Sequence, residues 1–599
     1  MCGIHGITWP DKPNITKMVR LSETRGPDGE GYYLDKEVAF GHNLLSITDS
    51  PELSQQPYKV NDSHVLCYNG EIYNYKELKK QIEKRHKHKF RTNCDTEVLA
   101  YGLFFEGIEF IKKIDGMYAL SWYDKKNLTI TLARDSAGAK PIYYSHSKGE
   151  NFCFSSSIKS LLSLGLKRKL DLRAFYFYKS FGYVAGPDTL INSIKKLVPG
   201  EVITYTHRKR RRVFREFIVS PNLKSEPSIF EPKIFRDSIS SSVKKCLMGN
   251  REIGLFLSGG LDSAMILHEM SSYLTNVKSF TTRFECSTKH NRYNDDADIA
   301  YRLSKQYGTN HTDFLITFEN FLDAIEPCVE ALEEPRYNRN TPAYYLLNKE
   351  LSRQGITVTL SGDGGDEIFS GYKPHKRVRR EPLKSIVKGK EIYKWQCSWS
   401  FKQNTPTMIS PTLQDLNIND IRLRKDMMNW IPDNCFGEDS LNNLLFIETI
   451  THLPEDYLIR NDKLGMNFSM EARFPLTLKS LREYILTIPL ADKMKIPDKR
   501  INTPFENNQE TEMKMLPKLA YQGYLPDYVI EKKKTGWSIP TEDWLESDKF
   551  KGEFLNPVLS KGYHEGTDML FDFDKIEWMK PQINIFYFRI WAKKFGITL

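Results

Sequence analysis

The chain is 599 residues long, 40% apolar, 27% charged and 12% aromatic, which excludes a single small module and wholesale disorder and predicts several large cores. Its 86 basic and 76 acidic residues leave a net charge of +10, but the signs are interspersed, a pattern of solubility rather than of a nucleic-acid-binding face. Nine cysteines without a CxxC pair read as reduced thiols; with no signal-like leader and no run of about 18 apolar residues, a cytoplasmic location without a membrane partner is expected.

From Ile4 to about Ser157, short β-type runs dominate: Gly6–Trp9, Val38–His42, Val65–Tyr68, Met117–Tyr123, Leu128–Ala133, Ile142–Tyr144 and Phe152–Phe154. Helical spacing interrupts them at Tyr75–Arg85 and from Asp95 through Phe105. The flanks of the basic run His207–Arg212 resemble two strands, so the run reads as the solvated loop of a hairpin. After Pro221 the period changes. Strands Ile253–Leu257, Val277–Phe284, Phe314–Thr317 and Ile356–Leu360 alternate with helices Ala264–Tyr273, Ala297–Tyr307 and Pro342–Gln354, which predicts βαβ units and a parallel sheet. Beyond Gly371 the chain reads as mostly helical.

Three clusters carry chemistry in the first part. Cys2 becomes the first residue when Met1 is removed, and a free α-amino group can then act as base for its own thiol. Arg25-Gly26-Pro27-Asp28-Gly29, Asn69-Gly70-Glu71-Ile72-Tyr73-Asn74 and Asp95-Thr96-Glu97 follow in order. Together they resemble the class II glutamine amidotransferase domain. The resemblance implies that Cys2 attacks the glutamine amide while Asn69 and Gly70 stabilise the oxyanion. It also implies that Leu45, Ser46, Ile47, Asn69, Gly70, Glu71 and Asp95 bind glutamine, with Glu71 and Asp95 on its ammonium. One position departs from the family: the arginine that holds the glutamine carboxylate is Leu44 here, so a bidentate ion pair is lost unless Arg25 or Lys59 compensates.

Two loops carry chemistry in the second part. Ser258-Gly259-Gly260-Leu261-Asp262-Ser263 follows a strand and opens a helix, where backbone N–H groups bind phosphate. Ser361-Gly362-Asp363-Gly364-Gly365-Asp366-Glu367 follows the strand ending at Leu360, and loops at that end of parallel strands build the ligand crevice. Asp262 and Asp366 are expected to face each other across pyrophosphate and share Mg²⁺. With Arg134–Tyr144 and Lys532-Lys533-Lys534-Thr535-Gly536-Trp537, these loops resemble glutamine-hydrolysing asparagine synthetases.

That resemblance implies an N-terminal-nucleophile αββα sandwich over residues 1–200 and an ATP-pyrophosphatase domain with a parallel sheet over 201–599. It places ATP on Phe256, Leu257, Ser258, Gly259, Gly260, Asp262, Ser263, Thr282, Ser361 and Gly362. Asp363 and Lys534 take catalytic roles. The substrates implied are ATP, glutamine or ammonia, and aspartate or another carboxylate, with a homodimer as the family's habit. The acceptor segment departs from the family pattern, with Lys463 for arginine and Pro475-Leu476-Thr477-Leu478 for its usual ending. Two rival readings stay open: a ligase with another acceptor or with ammonia only, and a degenerate regulatory or interaction protein.

Overall fold

The computed structural model describes all residues except 1, 147–150, 207–212, 218–222, 224–225, 337, 374, 376–429, 432–434, 436, 438, 495–511, 534–535 and 572–581. Among the described residues, twelve strands build two antiparallel six-stranded sheets. The first runs in the order Lys195–Lys196, Tyr143–His146, Phe152–Ser155, Gly3–Ile7, Ala39–Leu44, Gly29–Leu34. The second runs Val213–Phe217, Glu201–Thr206, Thr129–Arg134, Gly116–Asp124, His64–Ile72, Tyr58–Asn61. Ile4, Phe40, Cys67, Tyr123, Leu132, Phe154 and Ile203 form the apolar layer between them. Outside the second sheet pack helices Tyr75–His86 and Asp95–Glu106, and outside the first pack Lys12–Arg20 and Ile158–Leu162, giving the helix–sheet–sheet–helix layering expected of the αββα sandwich. Covered on both sides, the strand Gly116–Asp124 is buried along nearly its whole length instead of alternating.

All seven expected strands overlap observed ones. The two strands before residue 64 that the apolar pattern misses, Gly29–Leu34 and Tyr58–Asn61, both lie at sheet edges. An edge strand keeps one face or one side in water, so the first carries glycines and Glu30, and the second alternates half-buried with exposed residues. Glu201–Thr206 pairs with Val213–Phe217 as the hairpin reading requires, and the basic residues between them lie outside the described residues. This hairpin also pairs with Thr129–Arg134, so residues beyond 200 still contribute two strands to the sandwich.

The second part is organised on a five-stranded sheet, all parallel, in the order Asn310–Ile316, Lys278–Phe284, Ile253–Phe256, Val358–Leu360, Glu471–Arg473. The chain winds outward in one direction from Ile253–Phe256 and in the other through Val358–Leu360, which makes the space above these two neighbours the switch point where an open α/β sheet binds its ligand. Both motif loops leave from there. The crossover helix Phe318–Leu332 escapes the sequence pattern because Pro327 sits inside it, and its neighbour Thr341–Arg353 matches expectation.

Candidate active sites

In the N-terminal half, Gly3–Ile7 sets Cys2 at the sandwich edge opposite the end of His64–Ile72. The Cys2 amide donates to Asn69 Oδ1 at 3.0 Å, which leaves Asn69 Nδ2 buried without an acceptor among the described residues. Gly70 follows with φ +155°, and a Cβ there would lie 2.1 Å from the Met117 carbonyl oxygen, so only glycine fits. Burial pushes the Cys2 thiol up to about 11, and the chain's positive terminus pulls the other way. Asp95 is fully inside, its Oδ2 accepting from Tyr68 Oη at 2.8 Å and the Ile72 amide at 2.9 Å. Burial raises its pKa and these hydrogen bonds oppose the rise.

Glu71 meets the other half of the molecule. Arg473, on the last strand of the parallel sheet, donates through Nε to Glu471 at 2.5 Å and lies 3.5 Å from Glu71. Burial and then the Glu471 charge push the Glu71 carboxyl well above the carboxylate range. Burial works on Glu471 most strongly, but Arg473, the positive chain terminus and Lys140 together outweigh it and hold that carboxyl low.

Leu45, Ser46 and Ile47 continue from the strand that ends at Leu44 and are pinned to the second half: Arg251 Nε donates to the Ser46 carbonyl at 2.8 Å and the Asn250 amide to that of Ile47 at 2.9 Å. The two cations that could replace the missing arginine are engaged elsewhere. Arg25 donates to the Cys2 carbonyl at 3.2 Å and to Asp462 at 2.9 Å, and Lys59 lies over the Tyr33 ring.

At the switch point of the parallel sheet lies a cavity of about 380 Å³. Phe256, Leu257, Ser258, Gly260, Asp262, Ser263, Thr282, Ser361, Gly362, Asp363 and Asp366 all line it. Gly259 adds nothing to the lining; its φ of +70° makes the turn, and a Cβ would lie 2.3 Å from the Asp296 carbonyl oxygen. Asp363 accepts from Ser361 Oγ at 2.7 Å and from Asn461 Nδ2 at 2.6 Å. Lys534 lies outside the described residues; on either side of it, Lys532 pairs with Asp296 and Trp537 Nε1 donates to Thr282 Oγ1 at 2.8 Å.

Two residues at this cavity have no counterpart in the sequence reading. Lys514 bridges Asp262 at 2.5 Å and Asp366 at 2.7 Å, and the two carboxylates, overcoming burial, push its pKa above the ordinary lysine value. It lies far from either motif, and the only signal for it is chemical: two facing carboxylates call for a cation. Their convergence on one ammonium, with oxygen donors only, also fits a small hard divalent ion completed by phosphate oxygens. The second is Arg460, which enters the cavity from the helix Ile459–Met466. Lys463 on that helix, expected near the acceptor, points away: it pairs with Glu333 and donates to the Ser156 carbonyl at 3.3 Å.

A sandwich with an N-terminal cysteine site and a nucleotide-type cavity at a parallel-sheet switch point define an ATP-dependent carbon–nitrogen ligase carrying a glutamine amidotransferase domain. Residues 1–217 match the glutamine amidotransferase domain and residues 235–580 asparagine synthase. The chain belongs to the asparagine synthase family. It is 27% identical over 595 residues to asparagine synthetase [glutamine-hydrolyzing] 1 of Bacillus subtilis, covering 92% of this chain and 88% of that one. A putative asparagine synthetase 2 of Methanocaldococcus jannaschii is 29% identical over 406 residues, 63% of this chain and 76% of that one. A solved B. subtilis glutamine phosphoribosylpyrophosphate amidotransferase covers 46% of this chain and 65% of its own at 16% identity and a TM-score of 0.28.

Proposed function

We propose that the protein makes asparagine from aspartate, ATP and an ammonia donor. The observation that carries this reading is the convergence of both motif loops, Ser258–Ser263 and Ser361–Asp366, on one cavity, with Asp262 and Asp366 close enough to share a single cation. The acceptor carboxylate attacks the α-phosphate, pyrophosphate leaves, and ammonia then displaces AMP from the acyl carbon. The helix that starts at Leu261 presents its first N–H groups to the phosphates. Mg²⁺, held by Asp262 and Asp366, would neutralise pyrophosphate charge. Lys514 adds a positive charge at the same place. Asp363, held by Ser361 and Asn461, is positioned to accept a proton as the amide forms.

In the other half, Cys2 forms a thioester with the glutamine side chain, and Asn69 Nδ2 and Gly70 donate to the oxyanion. With its thiol pushed up to about 11, Cys2 needs a local base, which the α-amino group freed by loss of Met1 supplies. His5 and His42 do not serve, because burial lowers them to about 4 and about 3, and both rings are already hydrogen-bonded to other groups.

A cytoplasmic location and a homodimer complete the reading. Among the described residues no helix is long and apolar enough to cross a membrane. The test is pyrophosphate release across a panel of carboxylates, run with glutamine and separately with ammonium. Release that depends on aspartate supports the proposal; release with no carboxylate, or none with any, removes it. Leu44 favours a second reading, in which ammonium is the better nitrogen source, and the same two arms decide it.

A further inference from the structure

We propose that a second cavity, at the junction of the two halves, binds a small organic phosphate. The inference is independent of the ligase reading, because this cavity shares no lining residue with the one at the switch point. Its volume is about 380 Å³, and the helices Lys12–Arg20, Ile158–Leu162, Phe318–Leu332 and Gln582–Phe595 all contribute to its wall. The described lining holds four cations, Lys17, Lys159, Arg168 and Lys594, against one carboxylate, Glu330. A concave surface dominated by one sign of charge concentrates counter-ions.

The cations are held in place without being fully neutralised. Arg168 Nη1 donates to the Phe595 carbonyl at 2.7 Å and Lys17 Nζ to the Ser163 carbonyl at 3.1 Å, and neither side chain forms an ion pair with a described residue. Each of those carbonyls ends a helix and needs one donor; the guanidinium and the ammonium keep their other N–H groups for the cavity. Lys594 pairs with Glu326 at 2.8 Å. Lys159 reaches Glu330 only at 3.5 Å, and both side chains are partly in water, so that pair offsets little of the charge.

The donors come from several directions, which selects the ligand's anionic group. A carboxylate is planar and one guanidinium fork satisfies it, whereas a phosphate carries three acceptor oxygens and a charge near −2. Leu162 and Phe595, both buried, and Leu21, 47% exposed, line the same cavity and give an organic body an apolar surface. Lys17, Lys159 and Arg168 belong to the amidotransferase half, and Glu330 and Lys594 lie beyond it. Glu330 also stands one turn before Glu333, whose carboxylate accepts from the Ile158 amide at 2.8 Å. A bound phosphate therefore draws the two halves together.

The experiment is calorimetry on the whole chain with phenyl phosphate, inorganic phosphate and benzoate, which present the phosphate with an apolar ring, the phosphate alone, and the ring with a carboxylate. Phenyl phosphate should bind at least about tenfold tighter than the other two. Arg168→Gln and Lys17→Gln should each weaken it by about tenfold, the loss of one charge-assisted contact. Glu330→Gln should tighten it by about threefold, because it removes the one like charge, an effect that a merely structural role would not produce. Lys514→Gln, at the other cavity, should leave it unchanged. At ten times its Kd, phenyl phosphate should raise the Tm by about 3 °C, and Arg168→Gln should remove most of that rise at the same concentration.

No binding of phenyl phosphate overturns the proposal, and so does binding that Lys514→Gln removes and Arg168→Gln leaves alone, which assigns it to the switch-point cavity. Equal affinity for benzoate refutes the phosphate, and equal affinity for inorganic phosphate refutes the organic body. If Arg168→Gln and Lys17→Gln lower the Tm of the free protein without altering any affinity, the two residues only cap helix ends and the cavity is not a site.

Discussion

Glu333 is a single residue whose removal should loosen the junction between the two halves. It ends the helix Phe318–Leu332 in the left-handed region, at φ +62°, and its carboxylate reaches across to the sandwich. There it accepts from Ser157 Oγ and from the Ile158 amide at 2.8 Å, capping the helix Ile158–Leu162, and pairs with Lys463. Burial works against the charge, but Lys463, Lys159 and the hydrogen bonds outweigh it and bring the pKa from 4.5 to about 2. At about 1.4 kcal/mol per pH unit, that difference is worth about 3 kcal/mol.

The figure is a ceiling, because burial and Arg25 together depress the Lys463 pKa, so the lysine gives part of it back. The sign follows from a depressed carboxylate: the stabilisation is complete above the unfolded value of 4.5 and disappears as pH falls through about 2. Glu333→Gln keeps the shape and removes the charge. For a cooperative unit of about 200 residues, 3 kcal/mol corresponds to about 7 °C in Tm. Thermal melts of the two proteins should therefore differ by up to about 7 °C at pH 7 and by under about half of that at pH 3. A gap below about 1 °C at pH 7, or one that does not shrink on acidification, would refute the reasoning.

Asp262→Asn and Asp366→Asn should each abolish acceptor-dependent pyrophosphate release without changing the circular dichroism of the fold, because each removes one of two carboxylates that converge on Lys514 and on the cation site. Two active asparagine variants would remove the cavity from the mechanism. Glutamine should be a weak nitrogen source with a raised KM, the signature of lost uniform binding, because Leu44 stands where a carboxylate-binding arginine is expected and Arg25 and Lys59 are engaged. Cys2→Ala should end glutamine-dependent turnover and spare the ammonium reaction, and Leu44→Arg should lower the KM for glutamine. Ordinary glutamine affinity in the unmodified enzyme sinks this inference.

How much of this can be read from the residues depends on whether a contact is local or remote. The loops Ser258–Ser263 and Ser361–Glu367 announce themselves because glycine turns, serines and carboxylates must follow a strand directly to meet phosphate at its end. Asn69-Gly70 is legible for a similar reason: the close approach of Met117 to Gly70 is enforced by adjacent strands of one sheet. Lys514 and Arg460 are not legible, since Lys514, just before the helix Met515–Tyr521, and Arg460, on a helix, both lie more than ninety residues beyond the second loop, and a lone basic residue ordinarily marks a solvated face. Glu471 and Arg473 show the same limit from the other side. They read as part of an acceptor segment, but form an edge strand whose arginine turns toward Glu71 in the amidotransferase half.

The helix Ile459–Met466 explains why the two half-sites belong to one structure. Four consecutive residues leave it in different directions: Arg460 into the nucleotide cavity, Asn461 onto Asp363, Asp462 onto Arg25, and Lys463 onto Glu333. Arg25 in turn holds the Cys2 carbonyl, so one helical turn connects the backbone of the expected nucleophile to the carboxylate beside the cavity. Asp462 is fully buried, with Arg25 at 2.9 Å and Lys140 at 3.6 Å. A buried acid between two cations is expensive to assemble and more expensive to break, at about 3–5 kcal/mol for removal of one partner. Such a cluster does not tolerate water or a shifted register between the halves. The ion pairs at this junction therefore act less as a source of stability than as a device that fixes where one half-site stands relative to the other, as the proposed use at the cavity of ammonia released at Cys2 requires.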